Sequence, residues 1–188
     1  MQRLETIINL EPMPIEPAHF HGDARFPYIQ PDNFRIRTAS ADFPDSLPKG
    51  VLFKTGLTQY GLVLVYEERQ SGTPNSRGIA LDSAVLGFNI EGCVADVLQI
   101  QGGRGRYKQL AVVKWPIALL KGMTILAHEL QLGEIHVVMS HAVNGGPLDS
   151  SGIADERFME RLQRVYDLTC SALGFRQSYA LNRHVLEL

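Results

Sequence analysis

The sequence predicts an α+β fold, in which two main helices cover a mostly antiparallel mixed sheet and a proline-rich extended arm precedes them. Three observations support this prediction. Apolar, β-branched segments separated by turn residues follow one another from residue 50. Two long segments with helical periodicity come later in the chain, and each is followed by apolar segments of strand length. Prolines are concentrated in the first fifty residues.

The N-terminal segment combines prolines with aromatic residues. Seven of the ten prolines lie within residues 1–50, and proline disfavours both a long helix and a central strand because it removes a backbone donor. The aromatic side chains there indicate an ordered segment rather than a disordered tail. We therefore predict an extended arm over residues 1–49 that packs on a single domain of residues 50–188. A partner subunit is the alternative docking surface, which would make the arm the basis of a homo-oligomer.

The first half of the domain is predicted to be an antiparallel meander. GVLFKTGLT and YGLVLVYEE are apolar and β-branched, and SGTPNSRG supplies the turn residues that follow. IALDSAVLGFNI and VADVLQIQ come next, and the EGC between them predicts a tight hairpin centred on Gly92.

PIALLKGMTILAHELQLG carries the clearest helical periodicity in the chain. Its apolar residues recur at helical spacing and form one face, which consists of Leu119, Leu120, Met123, Leu126, Ala127 and Leu130. Pro116 suits the first helical turn, and Gly133 suits the position just past the end. EIHVVMS then predicts a short strand.

A second helix is predicted from about Ala154 to Leu173. One face carries Phe158, Leu162, Val165, Thr169 and Leu173, and Gly174 suits a left-handed cap. FRQSYALNRHVLEL then predicts two short strands.

Composition excludes several classes of function. The net charge of −2 gives no global attraction to DNA or anionic lipid, so nucleic acid is not an expected partner. No apolar run approaches the ~20 residues of a membrane helix, and the start lacks the pattern of a signal peptide, so we expect a cytoplasmic protein and no membrane partner. The two cysteines are too few for a cysteine-built zinc site, and HELQLGEIH departs from HExxH, so no metal is expected.

The strongest local signal is QGGRGRYKQLAVVKWP, residues 101–116, between a predicted strand and the first helix. Glycines let the backbone approach an anion closely, and arginines bind phosphate or carboxylate bidentately. A solvated turn is the alternative interpretation. In addition, a helix could begin near Tyr107 and break at Trp115–Pro116. Tyr107 and Trp115 alone give too little aromatic interleaving to favour RNA binding.

Three segments together resemble the GCN5-related N-acetyltransferase (GNAT) family over roughly residues 79–188. The first is VADVLQIQ, the loop and PIALLKGMTILAHELQLGEIHVV, which look like that family's central strand, pyrophosphate loop, main helix and following strand. The second is Asn144, soon after EIHVVMS. The third is VYDLTCSALGFRQSYALNRHVLEL, which looks like the last helix, the recurring LGF turn and the closing strand pair.

This resemblance implies an acyltransferase that moves an acyl group from acyl-CoA, for example acetyl-CoA, to an amine of a small molecule or a protein. It also implies that the loop's backbone amides hold the pyrophosphate. The family's pattern there is Q/R-x-x-G-x-G/A, and no register of this loop keeps all three fixed positions. The cofactor-binding residues that follow from the resemblance are Gln101, Gly102, Gly103, Arg104, Gly105, Arg106, Lys108 and Asn144.

Three residues are candidates for proton transfer. Many members of the family have an acid tyrosine four residues before the glycine of LGF. Cys170 takes that place here, and Tyr166 lies one turn earlier. His141, at the end of a predicted strand, is a candidate general base. A buried structural cysteine and a loop histidine bonded to backbone are the alternative interpretations. The departures from the family pattern leave a second hypothesis, a non-catalytic binding or assembly module with a GNAT-like core.

Overall fold

The computed structural model describes residue 7 and residues 10–68, 79–143 and 156–188. Within these residues, eight strands form one mixed sheet in the order β1-β2-β3-β4-β5-β6-β8-β7. Neighbouring strands are antiparallel except β5 and β6, which are parallel. The predicted α+β class is therefore confirmed. The strands are β1 Met13–Pro14, β2 Phe34–Ser40, β3 Tyr60–Glu68, β4 Ile79–Glu91, β5 Val94–Gly102, β6 Glu134–Val138, β7 Arg176–Ser178 and β8 Arg183–Glu187.

Helices are few in the described part of the chain. The α-helices are α1 Tyr107–Leu110, α2 Trp115–Glu129, α3 Glu156–Gln163 and α4 Thr169–Ala172, and the π-helical turn Arg164–Leu168 joins α3 to α4. Short 3₁₀ turns occur at Pro17–His19, Pro31–Asn33, Pro44–Ser46 and Ser140–Ala142. None of the helices in this described part is long and apolar enough to cross a membrane.

Helix α2 buries the face that its periodicity predicts, and it packs on β3, β4 and β6. Pro116 lies in the first turn as expected, where its missing N–H costs no hydrogen bond. The predicted stop at Gly133 is wrong, because the helix ends at Glu129 and Gln131 takes the left-handed conformation, with φ 54°. Gly133 instead begins the approach to β6, where its N–H donates to the Cys93 carbonyl at 2.8 Å.

The second predicted helix is interrupted by the π turn, and residues 154 and 155 lie outside the described part. Gly174 closes it as expected, with φ 81°. The Phe175 N–H donates to the Cys170 carbonyl at 3.0 Å, and the Gly174 N–H donates to Ser171 at 3.1 Å. This pair of bonds is the Schellman arrangement that follows helices with a left-handed cap.

The segment predicted as an arm contributes a strand to the interior of the sheet. β2 pairs with β3 along all seven of its residues and with β1 on its other side. Our expectation of no central strand in residues 1–49 is wrong for Phe34–Ser40, because no proline interrupts those residues.

The segment before β2 docks on its own chain. The N–H groups of His21 and Gly22 donate to the Val112 carbonyl at 3.0 and 3.2 Å, and the Lys114 N–H donates to the His19 carbonyl at 2.7 Å. Phe26 packs edge-on against Tyr107, with ring centroids 5.8 Å apart. A homo-oligomer formed through this segment stays a prediction.

Each face of the sheet has a hydrophobic cluster. The larger one joins alternate strand residues, such as Leu62 and Leu64, to the buried face of α2 and to Tyr166. The smaller one contains Val63, Val65 and Val85, and residues 51–53 cover it. Alternation along β3 assigns the two clusters to opposite faces.

Candidate functional site

Strands β5 and β6 separate after four paired residues. They pair in parallel from Val94 with Glu134 to Val97 with Val137, and β5 then continues to Gly102 without a β6 partner. The separation begins at a β-bulge. Gly87 of β4 lies opposite Gln99 while Phe88 lies opposite Val97, so Leu98 is the extra residue. A bulge bends its strand and re-aims the side chains that follow it.

Tyr166 fills the gap between the separated strands. Its hydroxyl oxygen accepts a hydrogen bond from the Ile100 N–H at 2.7 Å and lies 3.4 Å from the Ile100 carbonyl oxygen. The side chain is 2% exposed. Burial raises the pKa of Tyr166 to about 12, and the Ile100 amide lowers it only in part. The phenol is therefore protonated at physiological pH, and it replaces the β6 partner that the Ile100 N–H lacks.

Asp167 joins its helix to two other parts of the chain, the turn after β6 and β8. Its carboxylate accepts hydrogen bonds from the Ser140 N–H at 3.0 Å, the Ser140 hydroxyl at 2.5 Å and His184 Nε2 at 2.8 Å. Burial alone would raise the pKa of Asp167, but the bonds from Ser140 and His184 together lower it. The carboxylate therefore stays charged.

The arrangement of Asp167 differs from that of a nucleophilic triad. In a triad the histidine accepts the serine's proton, whereas the Ser140 hydroxyl here donates to the carboxylate. His184 is fully buried and donates through Nε2, and its Nδ1 has no hydrogen-bond partner among the described residues. The group is a structural latch between the last helix, the end of β6 and β8.

The π turn presents these two side chains from successive positions. Tyr166 bonds to β5, and Asp167 bonds to the residues after β6 and to β8. We call this pair the wedge. π turns often occur at functional sites, and this one places the last helix across the gap between the strands.

The gap opens into a cleft of about 570 Å³. β5 contributes Leu98, Gln99, Ile100 and Gln101, while Val138, Ala142 and Val143 come from β6 and the turn after it. The last helix contributes Phe158, Leu162 and Tyr166, and the remaining wall is formed by Leu52, Lys54, Leu57 and Arg183. The walls are mostly apolar, and two cations are the charged groups among these residues.

Gln99 fixes the loop that forms the fourth wall. Its amide Nε2 donates to the Leu52 carbonyl at 2.6 Å, and its Oε1 accepts from the Lys54 N–H at 3.1 Å. Because Gln99 is 3% exposed, these bonds satisfy a buried amide. The loop therefore has a fixed position relative to β5.

Gln101 is the residue of the predicted pyrophosphate loop that lines this cleft. The Gly103 N–H donates to the Ser83 carbonyl at 2.7 Å, and Arg106 Nε donates to the Asp82 carbonyl at 3.1 Å. These bonds attach the loop to β4. Among the other predicted residues, Gly102, Arg104, Gly105 and Lys108 do not line the cleft, and Asn144 lies outside the described residues.

His141 and Cys170 also lie off the cleft wall. His141 is exposed, and its Nε2 lies 3.3 Å from Asn182 Oδ1, while its neighbours Ala142 and Val143 form part of the wall. Cys170 is fully buried, and this burial, with a smaller effect of Asp167, raises the pKa of its thiol to about 12. A thiol in that state is neither an accessible nucleophile nor an efficient acid.

The two cysteines should therefore react differently with thiol reagents. In the native protein at pH 8 we expect the exposed Cys93 to react with a disulfide reagent within minutes, and Cys170 to react only after denaturation. The Cys93→Ser variant should show no reactive thiol until it unfolds. Rapid native labelling of Cys170 in that variant would contradict the buried assignment.

Several of these residues were missed by sequence reasoning. Strand alternation from Ala95 and Val97 would place Gln99 on the face of the larger cluster, but the bulge at Leu98 turns it to the loop instead. Asp167 could have been identified from the sequence, because it lies next to the predicted apolar face of the helix and a carboxylate beside a buried face requires hydrogen-bond partners.

Metal binding has no support in the described ranges, which contain no suitable group of three or more His, Cys, Asp or Glu residues.

Comparison with family models, with curated proteins and with solved structures finds no significant match to this chain.

Proposed function

We propose that this chain is a GNAT-like acyltransferase, which transfers an acyl group from acyl-CoA to an amine in the cleft between β5 and β6. The observation that carries the proposal is the parallel pair that separates after Val97 and encloses an apolar cleft. Helix α2 connects these two strands, and the basic, glycine-rich loop leaves β5 at the open end. This order matches the segment on which the family resemblance rests.

The walls of the cleft suit an acyl donor. Leu52, Leu57 and Leu98 provide apolar surface for an acyl chain, and Gln101 provides a polar group where β5 meets the loop. Arg104 is exposed beyond that point, and its guanidinium suits a phosphate of the donor. A thioester donor would supply an activated acyl group and a thiolate leaving group.

Tyr166 is the residue that we expect to polarise the carbonyl. Its oxygen accepts from the Ile100 N–H, and the Ile100 carbonyl at 3.4 Å is too distant to hold the hydroxyl hydrogen firmly. That hydrogen is available to a ligand in the cleft, where low polarity strengthens the interaction. The Ile100 N–H, the Tyr166 hydroxyl and the ligand carbonyl would thus form a chain of hydrogen bonds, in which the strand amide polarises the hydroxyl and the hydroxyl polarises the carbonyl.

His141 is the candidate base for the amine. It precedes the wall residue Ala142, and no carboxylate or imidazole is among the described residues that line the cleft. The His141→Ala variant should lower the rate of transfer about a hundredfold or more. Its test is release of free CoA thiol from acetyl-CoA and from octanoyl-CoA in the presence of a panel of primary amines. The proposal fails if the wild type binds neither thioester by calorimetry at millimolar concentration.

A second candidate is a non-catalytic binding or assembly module. The Ile100 and Gly103 N–H groups favour this candidate, because they already donate to Tyr166 and Ser83 and are therefore not free to bind a cofactor. This alternative predicts that a thioester or another ligand binds in the cleft without turnover. The same amine panel separates the two candidates.

A further inference from the structure

Lys54 combines a fixed backbone with an ammonium group that has no partner in the described part of the chain. Its N–H donates to Gln99 Oε1 at 3.1 Å. Its carbonyl accepts from the Leu57 N–H at 2.8 Å, from the Thr58 N–H at 2.9 Å and from the Thr58 hydroxyl at 3.2 Å. No ion pair or side-chain hydrogen bond joins its ammonium to any residue that the structure describes.

The residues that hold Lys54 are themselves fixed. Thr58 is 1% exposed and packs against Gly87, where an added Cβ would lie 2.8 Å from the Thr58 hydroxyl oxygen. Gln99 also donates to Gln101 Oε1 at 3.0 Å. The backbone of Lys54 therefore keeps its place at the wall of the cleft without a ligand, and preorganisation of this kind reduces the entropy cost of binding.

The other cation of the cleft is already neutralised. Arg183 donates to both carboxylate oxygens of Asp96, at 2.8 and 3.2 Å. Among the described residues that line the cleft, Lys54 is therefore the cation without an ion pair, and Leu52, Leu57 and Leu98 line the same cleft. A charge at an apolar wall is stabilised by an ion of opposite sign, so the cleft favours an anionic group attached to an apolar chain.

We infer that Lys54 binds the anionic end of an apolar ligand, a carboxylate or a phosphate, whose chain lies along the leucine wall of the cleft. A carboxylate on an acyl chain and a phosphate of an acyl carrier share this chemistry. The site would hold such a ligand whether or not the chain transfers an acyl group, so it extends beyond the proposed activity.

The test is calorimetry of the full chain with octanoate, with the uncharged analogue octanamide, with octyl phosphate and with acetyl-CoA. We expect octanoate or octyl phosphate to bind the wild type at least about tenfold more tightly than octanamide, which corresponds to ~1.4 kcal/mol. The Lys54→Met variant, which keeps the apolar stem, should lose that difference. Lys54→Arg should retain most of it, and Lys121→Met, at an exposed position on α2, should leave it unchanged.

The ligand series also separates the sources of the anion. Preference for octanoate indicates an acyl carboxylate, and binding of octyl phosphate and acetyl-CoA without octanoate indicates a phosphate. Equal affinity of Lys54→Met and wild type for every anion would overturn the inference, and so would octanoate and octyl phosphate binding no better than octanamide. Absence of turnover with unchanged Lys54-dependent binding would contradict the proposed transfer and leave the anion site standing.

Discussion

Replacing Asp167 with alanine is expected to lower the free energy of unfolding by about 3 kcal/mol or more. The substitution removes the acceptor of three donors, the Ser140 N–H, the Ser140 hydroxyl and His184 Nε2. His184 is fully buried and Ser140 is 6% exposed, so their donor groups depend on the carboxylate for a hydrogen-bond acceptor. Each buried donor left without a partner costs roughly 1–3 kcal/mol.

Urea unfolding at pH 7 measures this loss. The matched control is Asp32→Ala, at an exposed aspartate, which should change the free energy of unfolding by less than about 0.5 kcal/mol. A similar small change for Asp167→Ala would mean that the latch does not hold the last helix to β6 and β8.

The latch also gives the stability a defined pH dependence. Burial would raise the pKa of Asp167, but the bonds from Ser140 and His184 together outweigh it and lower the pKa in the folded state from its ordinary value of 3.8. Its stabilisation is therefore fully present above that ordinary value and is lost as pH falls through the lowered pKa. Asp167→Asn should flatten the fall in melting temperature below about pH 4 relative to the wild type. An unchanged slope in this variant would contradict the assignment.

Replacing Tyr166 with phenylalanine is expected to destabilise the fold by about 1–3 kcal/mol, because the Ile100 N–H loses its buried acceptor. If the hydroxyl polarises a thioester carbonyl, the same variant should slow acyl transfer about a hundredfold or more at saturating donor. Hydrogen exchange at the Ile100 amide should also become faster, a change that lost packing elsewhere would not produce selectively.

Tyr179→Phe is the control, because that residue is 72% exposed and its hydroxyl donates to the exposed Gln177 at 2.8 Å. It should alter neither stability nor exchange at Ile100. Unchanged protection of the Ile100 amide in Tyr166→Phe would show that another group accepts its hydrogen, and the wedge would then have no role in keeping the strands apart.

Features set by local periodicity could be predicted from the sequence. The buried face of α2, the turn at Gly92 and the cap at Gly174 each depend on residues close in the chain, and each is confirmed. The strand Phe34–Ser40 was not predicted, because the prolines on both sides of it argued against a strand in this region. Its own seven residues contain no proline.

Features that depend on distant partners could not be predicted in this way. The bulge at Leu98 is defined by the register of β5 against β4. The π turn is stabilised by the bonds of Tyr166 to Ile100 and of Asp167 to Ser140 and His184, which lie in other elements. The basic loop shows the same limit. Its glycines and arginines suggested an anion site, but Gly103 and Arg106 are bonded to the carbonyl groups of Ser83 and Asp82.

The central claim is that the cleft beside the wedge is the ligand site, and amide NMR tests it most directly. In a titration of ¹⁵N-labelled protein with octanoyl-CoA, we expect the largest shift changes at Ile100, Gln101 and the Lys54 amide, with smaller changes at Val138 and Ala142. A second groove on the sheet, which Arg35, Arg37 and Asp82 help to line, serves as the internal comparison. Changes confined to that groove, or no changes at millimolar ligand, would contradict the claim.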